Sequence, residues 1–261
     1  MFARCLHHLL KNVLLKCMQL VIEDHEFGTA SASAPDDSGG NQTITVDAAT
    51  GTATMLVTPG DSVSLFVEML AAWEDYHDWF TVSVAGAGIT LTPATLTLPS
   101  DTGTFEMPSA DTTVTVTFAP RNQWGFNISE ESLDYGNHMI NLVANQYISL
   151  GDDLTNGTDP SDVNFTIFNG VGAPGWYLRA KAQQPSGGND QMASRMFLEG
   201  GNSIHGINGT VHTQNNNNLL TAINWNQLDA GIEVRTIPTA PPIHAAHQAD
   251  IIWSVTPHVG P

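Results

Sequence analysis

The chain has 261 residues, and its 8 Lys and Arg stand against 26 Asp and Glu for a formal net charge of −18. A surface this negative repels a phosphate backbone, which excludes charge-driven nucleic-acid binding. Only 13 % of residues are charged and 41 % are apolar, which excludes a charge-driven disordered chain, and the length predicts two domains at roughly 100–200 residues each.

In residues 1–34, Arg4, Lys11 and Lys16 balance Glu23, Asp24 and Glu26, so the rest of the chain carries the whole charge with Arg121, Arg179, Lys181, Arg195 and Arg235 as its cations. Phe2, Leu6, Leu9, Leu10, Val13, Leu14, Cys17 and Val21 recur at helical spacing and predict a short amphipathic N-terminal helix. Lys11 and Lys16 interrupt the apolar core of an export signal, yet Ala30-Ser31-Ala32 and Ala32-Ser33-Ala34 have the small-x-small form of a cleavage site. Two readings stay open: a degenerate export signal, or a retained helix that packs on a partner or membrane surface. Cys5 and Cys17 are the only cysteines, so the body has no disulfide framework and no thiolate metal site. Its Thr/Asn/Gly-rich, Lys-poor composition points to an exported, extracellular surface protein. No later stretch approaches the ~20 apolar residues of a membrane span.

Residues 35–41, PDDSGGN, read as a linker. Residues 42–119 hold short alternating runs: TITVDAATGTATMLVT, DSVSLFVEML, FTVSVAG, ITLTPATLTLP and TTVTVTFAP. In the last run Val114, Val116 and Phe118 point one way and Thr113, Thr115 and Thr117 the other, the pattern of a half-buried strand. The prediction is all-β, with two sandwich or barrel-like domains after the N-terminal helical segment. MLAAWEDYHDWF is the exception: its Trp73, Tyr76, Trp79 and Phe80 form either a helical turn or a bulky loop capping the sheets.

TFEMPSADTTVTVTF, Thr104 to Phe118, resembles the closing signature of internalin-type bacterial surface repeats, and VTPGDSVSLFV resembles their opening turn and strand. That likeness implies a spacer or adhesive module without catalysis. Residues 121–261 contain Leu133-Asp134-Tyr135-Gly136, then Trp176-Tyr177-Leu178, then Trp253-Ser254-Val255 close to the last residue. In order and spacing they resemble the WxL domain of Gram-positive cell-surface proteins, with Val255 replacing the Leu of the second motif. The resemblance implies non-covalent attachment to peptidoglycan or another wall polymer, or to partner surface proteins, with no cofactor and no catalysis.

The residues themselves sharpen this. Alternation puts Trp176, Leu178 and Ala180 on one strand face and Tyr177, Arg179 and Lys181 on the other, while Ile251, Trp253 and Val255 share a face. The two tryptophans are either core anchors or an aromatic platform for a sugar or peptide. Arg179 and Lys181 either pair with Asp190 or Glu199 on a solvated face, or engage phosphate or carboxylate groups of a wall polymer. Arg195 lies nearby in sequence and completes a small cationic island.

Other constellations carry less. His244, His247 and Asp250 have zinc-type donors but follow Pro241-Pro242, which opposes helical presentation. Asp152, Asp153, Asp159 and Asp162 offer calcium-type oxygens without EF-hand order, as an acidic turn also would. Neither is assigned a metal. Sequons at Asn41, Asn127, Asn156, Asn164 and Asn208 matter only in a glycosylating host. There is no GxSxG elbow, phosphate loop or HExxH. The alternative to wall attachment is a self-assembling subunit of a filament, surface layer or phage particle, joined through strand edges.

Overall fold

The computed structural model describes residues 15–36, 38–47, 49–138, 144–153, 155–185, 192–236 and 247–258. Over these residues the chain is all-β, punctuated by short 3-10 turns, and it divides into two compact units, Met1–Arg121 and Asn122–Pro261.

The first unit contains β1 (Lys16–Glu23), β2 (Gly28–Pro35), β3 (Asn41–Thr45), β4 (Thr52–Val57), β5 (Ser62–Met69), β6 (Phe80–Gly86), β7 (Ser100–Glu106) and β8 (Thr112–Pro120). They form two four-stranded sheets, ordered β4-β1-β8-β6 and β3-β2-β5-β7. All pairings are antiparallel except β1 with β8, which run parallel. The inward residues alternate as the pleat requires: Val63, Leu65, Val67 and Met69 on β5, and Val114, Val116 and Phe118 on β8, are buried. The sheets pack face to face at Gly28, where a β-carbon would stand 2.3 Å from Cζ of Phe118.

The stripe residues Phe2 to Leu14 of the expected N-terminal helix lie outside the described residues, and the part that is described needs correction. Residues 16–23 are a strand, not part of a helix, and the side chains that enter the core are Met18, Leu20 and Ile22, at period two. Cys17 and Val21, which belong to the helical stripe, point away from that core and stay half-buried. Flanking by β4 and β8 satisfies the β1 backbone, an arrangement that local spacing does not encode. Both small-x-small sequences lie inside β2, where Ala30, Ala32 and Ala34 are buried and β3 and β5 pair on either side. Residues 16–35 are therefore framework of the folded unit. Cys17 is disulfide-bonded; the only other cysteine, Cys5, lies outside the described residues.

Nor is 35–41 a linker. It is the β2–β3 hairpin turn, in which Asp36 accepts from Ser38 N–H at 2.9 Å, Gly40 N–H at 2.8 Å and the Ser38 hydroxyl at 2.7 Å. These donors, the Ser38 hydroxyl foremost, hold the Asp36 carboxyl below its ordinary pKa. ITLTPATLTLP forms no regular strand. Thr92 makes an isolated bridge to Thr104, and Pro93 and Pro99 bring no N–H to a ladder, so the strand starts at Ser100 instead. The aromatic exception is a single 3-10 turn, Glu74–Trp79, with Trp73 packed edge-on against Phe27 and Phe80 at 5.2 and 5.5 Å.

The second unit contains β9 (Trp124–Ile128), β10 (Gln146–Ser149), β11 (Asn164–Asn169), β12 (Trp176–Gln183), β13 (Met196–Leu198), β14 (Asn202–Ser203), β15 (Gly209–Gln214), β16 (Leu220–Asn224), β17 (Ile232–Thr236) and β18 (Asp250–Pro257). The sheet β15-β12-β18 shares one core with β16-β11-β9 through Trp176, Leu178, Phe165, Ile167 and Ile223. The sheet β10-β17-β13-β14 adds Met196, Leu198 and Ile232 to the same core. Among the described residues no helix is long and apolar enough to cross a membrane.

Gly28→Ala places a methyl inside the Phe118 ring contact. It is expected to lower stability by about 1–3 kcal/mol, read as a lower denaturant midpoint for the first unit. An unchanged midpoint would mean that the two sheets can part at this point without loss.

Candidate functional site

The second unit is organised by β12, the middle strand of its sheet, with β15 on one side and β18 on the other. Trp176, Leu178, Ala180 and Ala182 are all fully buried, while Tyr177, Arg179 and Lys181 face outward and are half-buried. On β18, Ile251, Trp253 and Val255 pack against the core without being sealed from solvent. The two Trp-x-Leu-type motifs, distant in sequence, are hydrogen-bonded neighbours: Leu178 pairs with Val255, Ala180 with Trp253 and Trp176 with Pro257. The small Ala180 leaves room for the indole opposite it.

This register separates the indoles. Trp253 stands across from Ala180, four residues along β12 from Trp176, which is roughly 13 Å at the strand rise. They form no common platform. Trp253 lies edge-on to Phe165 at 5.1 Å and near Phe126 and Trp225, each at 6.4 Å, whereas Trp176 sits beside His212 at 5.7 Å. Each such aromatic pair adds about 0.5–1.5 kcal/mol beyond area burial. Trp176 and Leu178 thus hold the strand in place and touch nothing outside the fold.

The Leu-Asp-Tyr-Gly segment is a staple onto this core. The Tyr135 hydroxyl donates to the Ile232 carbonyl at 3.0 Å, and burial, followed by the charge of Glu233, raises its pKa well above the ordinary tyrosine value. The Asp134 N–H donates to the Thr158 hydroxyl, the Asp134 carbonyl accepts the Thr158 N–H, and its carboxylate accepts the Gly136 N–H at 2.8 Å. Gly136 has φ +78°, and a β-carbon there would stand 2.7 Å from the Asp153 side chain.

The neighbouring acidic loop uses its carboxylates locally. Asp152 accepts from Ser149 N–H, Asp153 from Asn137 N–H and Asn156 Nδ2, and Asp159 from the Ser161 hydroxyl and N–H. These bonds, led by the side-chain donors of Asn156 and Ser161, hold Asp153 and Asp159 below their ordinary pKa. Among the described residues no three His, Cys, Asp or Glu side chains gather to hold a metal ion. His244 lies outside the described residues, as does Asp190.

The outward side of β12 has a different character. The Arg179 guanidinium lies 5.1 Å from the Tyr177 ring centre, and His258 meets that tyrosine edge-on at 4.5 Å. Neither Arg179 nor Lys181 pairs with a described carboxylate, unlike His77 with Asp78 and His212 with Asp229. Arg195 ends the 3-10 turn Met192–Arg195 before β13. The β18 residues opposite the strip are Thr256, across from Tyr177, and Ser254, across from Arg179. Arg179 Nε, Ser254 Oγ, Thr256 Oγ1 and His258 Nδ1 are all withdrawn from solvent and have no hydrogen-bond partner among the described residues. An unmade bond at such an atom carries a penalty of about 1–3 kcal/mol. Sequence alternation locates Tyr177, Arg179 and Lys181 but not Ser254, Thr256 and His258, which join them only through the β12–β18 register.

Comparison with family models, curated proteins and solved structures finds no match to this chain.

Trp176→Ala is expected to destabilise the second unit by about 3–5 kcal/mol in denaturant unfolding. Arg179→Ala should stay within about 1 kcal/mol of the parent, because it removes one half-exposed cation–π contact. Gly136→Ala should lower the same midpoint through both its backbone angle and the Asp153 contact, and a neutral result would show that the Leu-Asp-Tyr-Gly staple is not needed for the fold.

Proposed function

We propose that this chain is a non-catalytic, extracellular cell-surface protein that attaches non-covalently to peptidoglycan or to partner surface proteins through its second unit. The first unit serves as spacer or adhesin. The observation that carries the reading is the in-register pairing of the two Trp-x-Leu-type strands, with Leu178 against Val255. Motifs so far apart in sequence that serve one strand pair belong to one device, and its outward side offers cations and aromatic surface on an otherwise acidic chain. Two further features support it. The Pro59-Gly60-Asp61 turn and the Glu106-Met107-Pro108 segment, the two ends of the repeat-like signature, bind each other through Gly60 N–H to Met107 O and Met107 N–H to Asp61 O, both 2.8 Å. The disulfide at Cys17 suits an oxidising compartment.

The test is co-sedimentation of the full chain with purified Gram-positive walls at about 0.05 M and about 0.5 M salt, a span over which exposed charge contacts are strongly screened. Retention at low salt that weakens at high salt, and weakens further in the Arg179→Ala/Lys181→Ala double variant, is expected. A chain left in the supernatant at both salts refutes wall attachment, and regular filaments in negative stain would move the assignment to a self-assembling subunit.

A further inference from the structure

We propose that the outward side of the β12–β18 pair is an oxyanion site, formed by Tyr177, Arg179, Ser254, Thr256 and His258, that takes the phosphate or carboxylate groups of an anionic wall polysaccharide. The proposal rests on the wall-attachment reading and adds to it a ligand chemistry and three residues of β18 and its end.

The geometry comes from register. Tyr177 faces Thr256 and Arg179 faces Ser254 across the ladder, which sets directly opposed β-carbons about 5 Å apart, and His258 closes one end against the Tyr177 ring. Four polar atoms of this small area, Arg179 Nε, Ser254 Oγ, Thr256 Oγ1 and His258 Nδ1, are buried and unpartnered. A hydroxyl and an arginine Nε can each donate, and a histidine Nδ1 donates in one tautomer and when protonated. No described carboxylate or carbonyl accepts from any of them. Beside an arginine, groups that can each turn a donor outward fit a ligand that brings acceptors and negative charge, which is the description of an oxyanion. On a chain of net charge −18 the site is local by necessity, since the rest of the surface repels such a ligand.

Binding turns the Arg179 guanidinium off the Tyr177 ring, so that its fork and the two hydroxyls converge on one group of oxygens. Lys181, next outward residue on β12, supplies a second cation, and Ile252 across from it is 41 % exposed and offers apolar contact to a sugar ring. Asp250, paired with Gln183 at the far end of the same face, limits the site in that direction.

The experiment is calorimetric titration of the full chain with a glycerol phosphate oligomer and, separately, a glucuronate oligomer, which distinguishes the phosphate from the carboxylate source. The expected result is saturable binding to at least one oligomer, weakened about ten-fold by Ser254→Ala/Thr256→Val, which alters no charge, and by Arg179→Lys, which keeps the charge but removes the fork. Because the two hydroxyls are unpartnered, the Ser254→Ala/Thr256→Val variant should keep or raise its unfolding midpoint. Should it fail to fold, Arg179→Lys carries the test alone. Binding to neither oligomer, or equal binding by parent and variants, overturns the site. Walls that retain parent and variants alike overturn the site and leave wall attachment standing, whereas oligomer binding without wall retention keeps the site and removes the attachment reading.

Discussion

The second unit depends on one constraint: side chains along a strand alternate faces with period two, and β12 and β18 are locked in a single register. Leu178 against Val255 sets Trp176 and Trp253 inward and leaves Tyr177, Arg179, Ser254 and Thr256 outward. A one-residue slip of β18 would turn Trp253 outward, and the same slip of β12 would expose Trp176 and bury the guanidinium. The aromatic packing of Trp253 with Phe165 and the full burial of Trp176 make that slip costly, so the inner motif residues act on function by fixing what the outer ones present.

Charge is distributed by a related logic. Part of the acidic surplus is committed to turns. Asp36, Asp47, Asp101, Asp153 and Asp159 each accept backbone N–H groups within a few residues, and each is held below its ordinary pKa by those donors and nearby side-chain donors. Carboxylates used this way do not reach across to Arg or Lys. Two cations of the second unit meet rings instead: Arg179 lies over Tyr177, and Arg235 lies 5.8 and 5.6 Å from the centres of Tyr147 and Phe197. A guanidinium on an aromatic face keeps its N–H groups available to an external acceptor, which a guanidinium in a carboxylate fork does not.

The first unit shows the same dependence on partners. Its strand β1 reads as a helix because Val13, Leu14, Cys17 and Val21 match a helical stripe, yet Met18, Leu20 and Ile22 equally match a strand. Short apolar runs satisfy both periods, and only the places held open between β4 and β8 decide between them. The PDDSGGN segment reads as a linker from its Pro, Asp and Gly content, but whether such a stretch separates domains or closes a hairpin depends on the strand that precedes it.

By itself the sequence determined the all-β class, the alternation of β5, β8 and β12, which motif residues share a strand face, and the sign of the surface charge. These are local properties, carried by composition and by side-chain period. The tertiary structure alone decided that residues 16–35 are strands, that the two tryptophans are anchors four residues out of step, and that Ser254, Thr256 and His258 stand beside Tyr177 and Arg179. Register between strands distant in the chain is a non-local quantity, set by which pairing buries Trp176, Leu178 and Trp253 together, and no window of sequence contains it.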